Sequence, residues 1–203
     1  MAKHFSMIRG FHLADFFTLA NAACGVAAIF LAMLYVASGS RAHFYAAAAM
    51  APVAFVFDWL DGNVARWRQK HSAMGRELDS LADVISFGVA PAALGFAAGL
   101  DGGWDWAVLI YFVCCGVSRL ARFNVTAETL SEGTGKVPYF EGTPIPTSVV
   151  LTAVLAFAAW QERLGERLYG GVWNLGWELH PLVLLFAASG SMMISKTLRI
   201  PKF

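Results

Sequence analysis

Six stretches of this chain stay apolar for about the length of a bilayer crossing: residues 15–37, 43–66, 80–99, 104–123, 145–161 and 180–197. Polar residues gather between them. A hydrocarbon core roughly 30 Å thick takes about 20 helical residues to cross, so the pattern predicts an all-α, polytopic membrane protein with six transmembrane helices. The fifth run is the shortest; it tilts less than the others or continues into the segment after it. Composition agrees, with 58% hydrophobic and 14% charged residues and a mean hydropathy of +0.56, far more apolar than a soluble domain needs. At 203 residues the chain reads as one membrane domain, 1–203.

The first apolar run is too long for a cleaved signal peptide, and no strongly polar domain follows it, so it is expected as a retained helix. Ahead of it, residues 1–14 read equally well as a short interfacial helix, with Phe5, Met7, Ile8 and Phe11 on its greasy side, or as a frayed tail. With the amino terminus inside, the cytoplasmic stretches hold Lys3, Arg9, Arg66, Arg68, Lys70, Arg76, Arg119, Arg122, Lys136, Lys196, Arg199 and Lys202. The other side holds Arg41, Arg163 and Arg167. That bias orients the chain, and an even number of helices returns the carboxyl terminus to the cytoplasm. Trp104, Trp106, Trp160, Tyr169, Trp173 and Trp177 fall at the opposite boundary, as an aromatic belt would. Cys24, Cys114 and Cys115 lie inside apolar runs without metal-ligand spacing and read as packing. The five histidines are scattered, and no P-loop, GxGxxG or Ser-His-Asp arrangement is present.

The candidate chemistry sits where the second and third runs meet. Four of the seven aspartates fall in one pattern, Asp58-x-x-Asp61-Gly62-x-x-Ala65-Arg66-(x)8-Gly75-x-x-x-Asp79-x-x-x-Asp83. Spacings of three and four put each pair on one helical face. Two neighbouring helices thus aim two carboxylates each at a shared space. In an apolar setting such a group repels itself unless cations gather it. Oxygen ligands without His or Cys point to hard ions, Mg²⁺ or Mn²⁺, with Ca²⁺ a further candidate. Such ions suit a diphosphate. Small residues at Gly62 and Ala65 leave room for something flat, Arg66 could hold a phosphate oxygen, and an uncommitted carboxylate could take a proton from an alcohol. At this chain's residue frequencies, eight fixed positions recur by accident on the order of once in ten million chains. Four structural aspartates satisfied by basic partners are the bland alternative.

Elsewhere along the chain, Thr18 and Asn21 share a face of the first run among small residues. They are polar glue between helices or the border of a cytoplasmic cavity, with the two readings even. Pro91 is expected to kink the third helix. Arg119 and Arg122, three apart at the end of the fourth, are snorkelling arginines or a fork for an anionic group. The stretch 125–144 is the longest cytoplasmic connection.

The aspartate pattern resembles the signature of the CDP-alcohol phosphotransferases at every fixed position. The resemblance implies a six-helix, usually homodimeric, integral membrane fold with a two-ion site facing the cytoplasm. It also implies transfer of a phospho-alcohol group from a CDP-linked donor to a second alcohol, releasing CMP. Within the family the chain is most similar to the members that use serine, the CDP-diacylglycerol–serine O-phosphatidyltransferases. That similarity rests on Ser118-Arg-Leu-Ala-Arg-Phe-Asn124, Phe140-Glu-Gly-Thr-Pro-Ile-Pro146, and Met193-Ile-Ser195 leading to Pro201-Lys-Phe203. Carried over by position, Asp58, Asp61, Asp79 and Asp83 bind the metals, with Asp83 also the catalytic base. Gly62, Ala65, Arg66 and Gly75 line the cytidine diphosphate pocket, with Thr18 and Asn21 assigned to the same side. Arg119, Arg122 and Asn124 are candidates for the acceptor, whose carboxylate suits a guanidinium. The implied partners are CDP-diacylglycerol, L-serine, membrane lipids and a second copy of the chain, with no nucleic acid, and the implied location is the cytoplasmic membrane. Glycerol 3-phosphate, inositol phosphate or choline as acceptor is the rival within the family. A cation channel or transporter is the rival outside it; that reading calls for acidic residues along the bilayer depth, whereas here they gather at one end.

Overall fold

Each apolar run folds as a helix, and several helices extend past the run that predicts them. The structure, a computed structural model, describes residues 13–68, 73–131, 139–195, 197 and 199–201. The stretch read as an interfacial helix therefore lies almost wholly outside the described residues, as does His71. Helix α1 spans Leu13–Ser38 and α2 spans Arg41–Arg68. The third run is built in three pieces: α3 (Ala73–Asp83), a π-helical turn (Val84–Val89) and α4 (Ala90–Ala97). Helix α5 spans Gly103–Ser131. A 3-10 turn (Ile145–Ser148) leads into α6 (Val149–Trp160), and another (Pro181–Val183) leads into α7 (Leu184–Ile194).

Four of these stretches are long and apolar enough to cross a bilayer: Ala14–Ser38, Arg41–Val64, Met74–Ala97 and Gly103–Val125. Ile145–Trp160 and Pro181–Ile194 are shorter apolar helices. The third stretch is the axis of the bundle, 50% buried against 22–28% for the other three. Around it the helices turn large side chains outward, among them Phe16, Phe30, Met33, Ile110 and Val150. Patches of that extent mark a surface covered by something apolar, here lipid. The inward faces carry Phe44, Phe87, Phe112, Leu155, Phe186 and Met193, all nearly inaccessible.

Small residues set how closely the helices approach. α1 and α2 pair along Ala28 and Ala32 on one side and Ala47, Ala48, Ala51 and Ala54 on the other, as small residues allow in lipid. The tightest approach is at Gly25 of α1. A Cβ there would stand 2.8 Å from the Cα and 2.9 Å from the backbone nitrogen of Ser86, in the π turn.

The kink expected at Pro91 takes the form of that wide turn. Proline has no N–H, and in a regular helix its ring would crowd the carbonyl four residues back, that of Phe87. The wider turn relieves this, and the Ala90 N–H reaches back five residues to the Ile85 carbonyl.

Two short antiparallel ribbons accompany the helices. β1 (Tyr139–Glu141) pairs with β4 (Arg199–Pro201), and β2 (Trp173–Leu175) pairs with β3 (Trp177–Leu179). In the second ribbon Trp173 opposes Leu179 and Leu175 opposes Trp177, so the apolar side chains share one face and Asn174 and Glu178 the other. Trp104, Trp106, Trp160, Trp173 and Trp177 are all exposed. Tyr169 instead lies under the Arg163 guanidinium, 4.9 Å from ring centroid to Cζ.

The end of the bundle carrying this ribbon is pinned by Asp105, which is fully buried. Its Oδ1 accepts the His180 backbone N–H at 2.9 Å. Its Oδ2 accepts the Gly102 N–H at 3.0 Å and the His180 Nδ1–H at 2.6 Å. These bonds tie the start of α5 to the entrance of α7. On the same side Arg41 bonds Glu162 at 2.8 Å, which draws the Glu162 carboxyl below its ordinary range. Both partners are exposed, and the pair adds little to stability.

Candidate active site

The opposite end of the bundle gathers the acidic residues. Asp58 and Asp61 stand one turn apart near the end of α2. Asp79 lies in α3, and Asp83 closes α3 where the π turn begins. Carboxylate oxygens of Asp58, Asp61 and Asp79 come within 4.8 Å of one another. Asp83 stands outside that trio but feels the charges of Asp58, Asp79 and Asp61. Asp61 and Asp83 are each only 6% exposed.

Two side chains of α1 reach into this group. Thr18 Oγ1 donates to Asp61 Oδ2 at 2.8 Å and lies 3.2 Å from the Ala14 carbonyl. Its single proton goes to the charged, nearer acceptor. Asn21 Nδ2 donates to Asp83 Oδ1 at 3.2 Å, and the Asn21 carbonyl accepts Ser86 Oγ–H at 2.8 Å. The pair joins α1 to its neighbours, as polar glue would, and it does so at the carboxylates. Expected on the donor side, these residues lie at the acidic group, Thr18 bonded to Asp61 and Asn21 to Asp83.

Among the described residues, no ion pair is made by these carboxylates. The ion pairs among the described residues are Arg41–Glu162 and Asp105–His180, both at the far end. The side chains of Ala65 and Arg66 are outside the described residues. Asp79 Oδ1 is buried without a hydrogen-bond partner. Three converging carboxylates, one with an unpaired buried oxygen, and no sulfur or nitrogen donor among them fit a hard divalent ion. Beside them, Gly62 is half-buried, yet a Cβ added to it would meet nothing within 4 Å. Among the described residues, nothing fills the space against the α2 backbone there. Gly75 lies in the first turn of α3, half-buried.

The three residues expected on the acceptor side separate. Arg119 is half-buried, its Nε has no partner, and it interacts electrostatically with Asp83. Arg122 is exposed. Asn124 works as a strut: its Nδ2 donates to Ser80 Oγ at 3.0 Å and to Glu77 Oε1 at 3.3 Å, holding α5 against α3. Sequence reasoning passed over Ser80, Glu77 and Ser86. Ser86 in particular is a polar residue three beyond Asp83 in an apolar run, and that alone could have marked it.

Comparison with known proteins gives the site its context. The CDP-alcohol phosphatidyltransferase profile matches residues 11–189. The chain is 43% identical over 208 residues to the CDP-diacylglycerol–serine O-phosphatidyltransferase of Saccharomyces cerevisiae, covering 98% of this chain and 74% of that protein. It is 36% identical over 136 residues to the Mycobacterium tuberculosis protein of the same name, covering 66% of this chain and 45% of the relative. It is 40% identical over 141 residues to the archaetidylserine synthase of Methanothermobacter thermautotrophicus, covering 68% and 54%. The chain thus spans about half the length of these last two relatives. The match over residues 11–189, with carboxylates drawn together from the two helices that bear the signature, makes this chain a member of the CDP-alcohol phosphatidyltransferase family.

Proposed function

We propose that this protein transfers the phosphatidyl group of CDP-diacylglycerol to the hydroxyl of L-serine, giving phosphatidylserine and CMP. The observation that carries the reading is the convergence of Asp58, Asp61 and Asp79 within 4.8 Å, beside an aspartate held by an amide. The names of the relatives supply the serine acceptor. Asp58, Asp61 and Asp79, with Asp83 at the edge, would hold two divalent ions, Mg²⁺ or Mn²⁺. Bound there, such ions neutralise charge on the diphosphate and on the departing phosphate oxygen.

The protein's own residues do the rest. Asp83 accepts the proton of the serine hydroxyl as its oxygen attacks the β-phosphorus of the donor. The bond from that phosphorus to the bridging oxygen breaks, and CMP leaves with the electron pair. Gly62, Ala65, Arg66 and Gly75 line the cytidine diphosphate side, with Arg66 on phosphate. Arg119 and Arg122 receive the acceptor carboxylate, and Asn124 holds their helix in place.

The same reading has all six apolar helices crossing the membrane as one domain, with both ends and the site at the cytoplasmic face of the cytoplasmic membrane. Residues 1–14 would lie along the interface, and the chain would work as a homodimer. The donor's acyl chains would stay among the outward-facing side chains while its nucleotide enters the acidic end.

The acceptor is tested directly. Purified protein given CDP-diacylglycerol and, in turn, labelled serine, glycerol 3-phosphate, inositol phosphate and choline should yield labelled lipid from serine. Lipid formed from another alcohol in preference would replace the serine assignment.

Gly62→Ala tests the donor side. The new methyl meets nothing within 4 Å among the described residues outside its own stretch of helix backbone, and alanine in a helix interior is favoured over glycine by about 0.5–1 kcal/mol. The variant should melt no lower than the parent while its KM for CDP-diacylglycerol rises about tenfold or more, since one misplaced group can cost that much binding. An unchanged KM would remove Gly62 from the pocket.

A further inference from the structure

Helix α1 brings three buried polar side chains to the acidic end, Asp15, Thr18 and Asn21; the Asp15 charge acts on Asp61, and the other two side chains donate to carboxylates of the neighbouring helices. Thr18 is 3% exposed and Asn21 is 0% exposed. Thr18 reaches Asp61, a member of the trio, and Asn21 reaches Asp83, which stands outside it. Each contact fixes one carboxylate oxygen, and the Gly62 backbone N–H also bonds Asp61. Terminal carboxylate torsions are broad, so fixed donors of this kind set how the carboxylate is turned. The helix supplying these donors is itself keyed in place. Gly25 meets the Ser86 backbone, and Ser86 Oγ–H binds the Asn21 carbonyl.

The leftover atoms sharpen the assignment. Asn21 donates one of its two amide N–H groups to Asp83, and its Oδ1 is buried without a hydrogen-bond partner. Thr18 likewise has its one proton engaged. Polar glue between helices would only have to join them; here both donors stop on the groups that do the chemistry.

We infer that Thr18 and Asn21 form a positioning rail with divided labour, Thr18 orienting Asp61 for metal binding and Asn21 orienting Asp83 for proton transfer. This inference rests on the reading of the site given above. Neither side chain touches substrate. Partners of this kind around metal ligands commonly cost 10–100-fold in affinity or rate when removed.

The test uses the full chain in detergent, with Thr18→Val and Asn21→Leu, which keep volume and delete the donor. Mn²⁺ binding is measured by calorimetry in the presence of CDP, and turnover is measured over a range of Mn²⁺ with serine and CDP-diacylglycerol. Thr18→Val should weaken Mn²⁺ binding about tenfold and recover most of the parent kcat at saturating Mn²⁺. Asn21→Leu should lower kcat about tenfold or more, a loss that saturating Mn²⁺ does not restore, unlike that of Thr18→Val. Asn21→Gln, which restores a donor, should regain part of that rate. In an Asp83→Asn background, Asn21→Leu should add little, as expected of two residues acting as one unit. The division is overturned if both variants move the same parameter or neither moves any. It is overturned equally if either loses CDP binding, because neither is assigned to the nucleotide. Failure of the parent protein to use serine would strike the proposed reaction instead, and the calorimetric comparison would still read the Thr18 assignment.

Discussion

Asp83→Asn should keep binding CDP-diacylglycerol and lose turnover by on the order of 10²–10⁴-fold, the contribution of a positioned general base. The substitution keeps the shape of the side chain and an oxygen to receive the Asn21 amide, so the contact to α1 persists. It also removes one of several like charges facing one another across the α2–α3 gap, which favours the folded bundle. Lost activity therefore cannot be laid to a damaged fold, and nucleotide binding measured alongside the rate makes that explicit. The amide has no lone pair available to take the hydroxyl proton. A variant turning over at the parent rate would end the role assigned to Asp83 as base and leave it as a bystander to the trio.

Asp105→Ala should act on stability alone. Three donors converge on this buried carboxylate: two backbone N–H groups and the imidazole of His180. Alanine leaves all three without an acceptor, at a cost of about 3–5 kcal/mol for breaking a buried pair. Against a typical net stability of about 5–15 kcal/mol, that is a large share. The start of α5 and the entrance of α7 lose their common anchor. The unfolding midpoint in detergent, followed by tryptophan fluorescence, should fall by many degrees. Turnover per folded molecule should hold, because Asp105 sits at the far end of the helix from Arg119 and Asn124. A midpoint equal to the parent's would show that the pin carries no weight, and a selective loss of rate would mean the two ends are coupled.

Much of this architecture could be read from hydropathy and spacing, and the places where it could not have physical causes. Apolar runs delimit the part of a helix that lipid or the core covers, not the helix itself. For that reason α3 begins at Ala73, ahead of its run, and α5 continues to Ser131 through residues read as the start of a loop. No glycine or proline interrupts that continuation before Gly133. The ribbon of β2 and β3 was hidden because its tryptophans also suit an aromatic belt, although Trp173, Leu175, Trp177 and Leu179 alternate as strand residues do. Pro91 announced a disturbance but not its form, since a kink and a wide turn share one cause. In the site, periodicity put Asp58 with Asp61 and Asp79 with Asp83. It could not tell that three of the four would cluster and the last turn to Asn21, because that depends on how α1 packs, and no local pattern encodes a partner from another helix.

Thr18 and Asn21 sit on the one of the four long helices whose buried share is smallest, so one face of it meets the lipid and the other the acidic group. Helix α1 is the least enclosed of them, 22% buried, with Phe16, Leu19, Phe30 and Met33 facing outward. Its inner face nonetheless grips one carboxylate on each of the two acidic helices, and the close approach of Gly25 to Ser86 fixes it there. A lipid-facing helix held by packing on one side thus carries the orientation of the acidic groups on its other side.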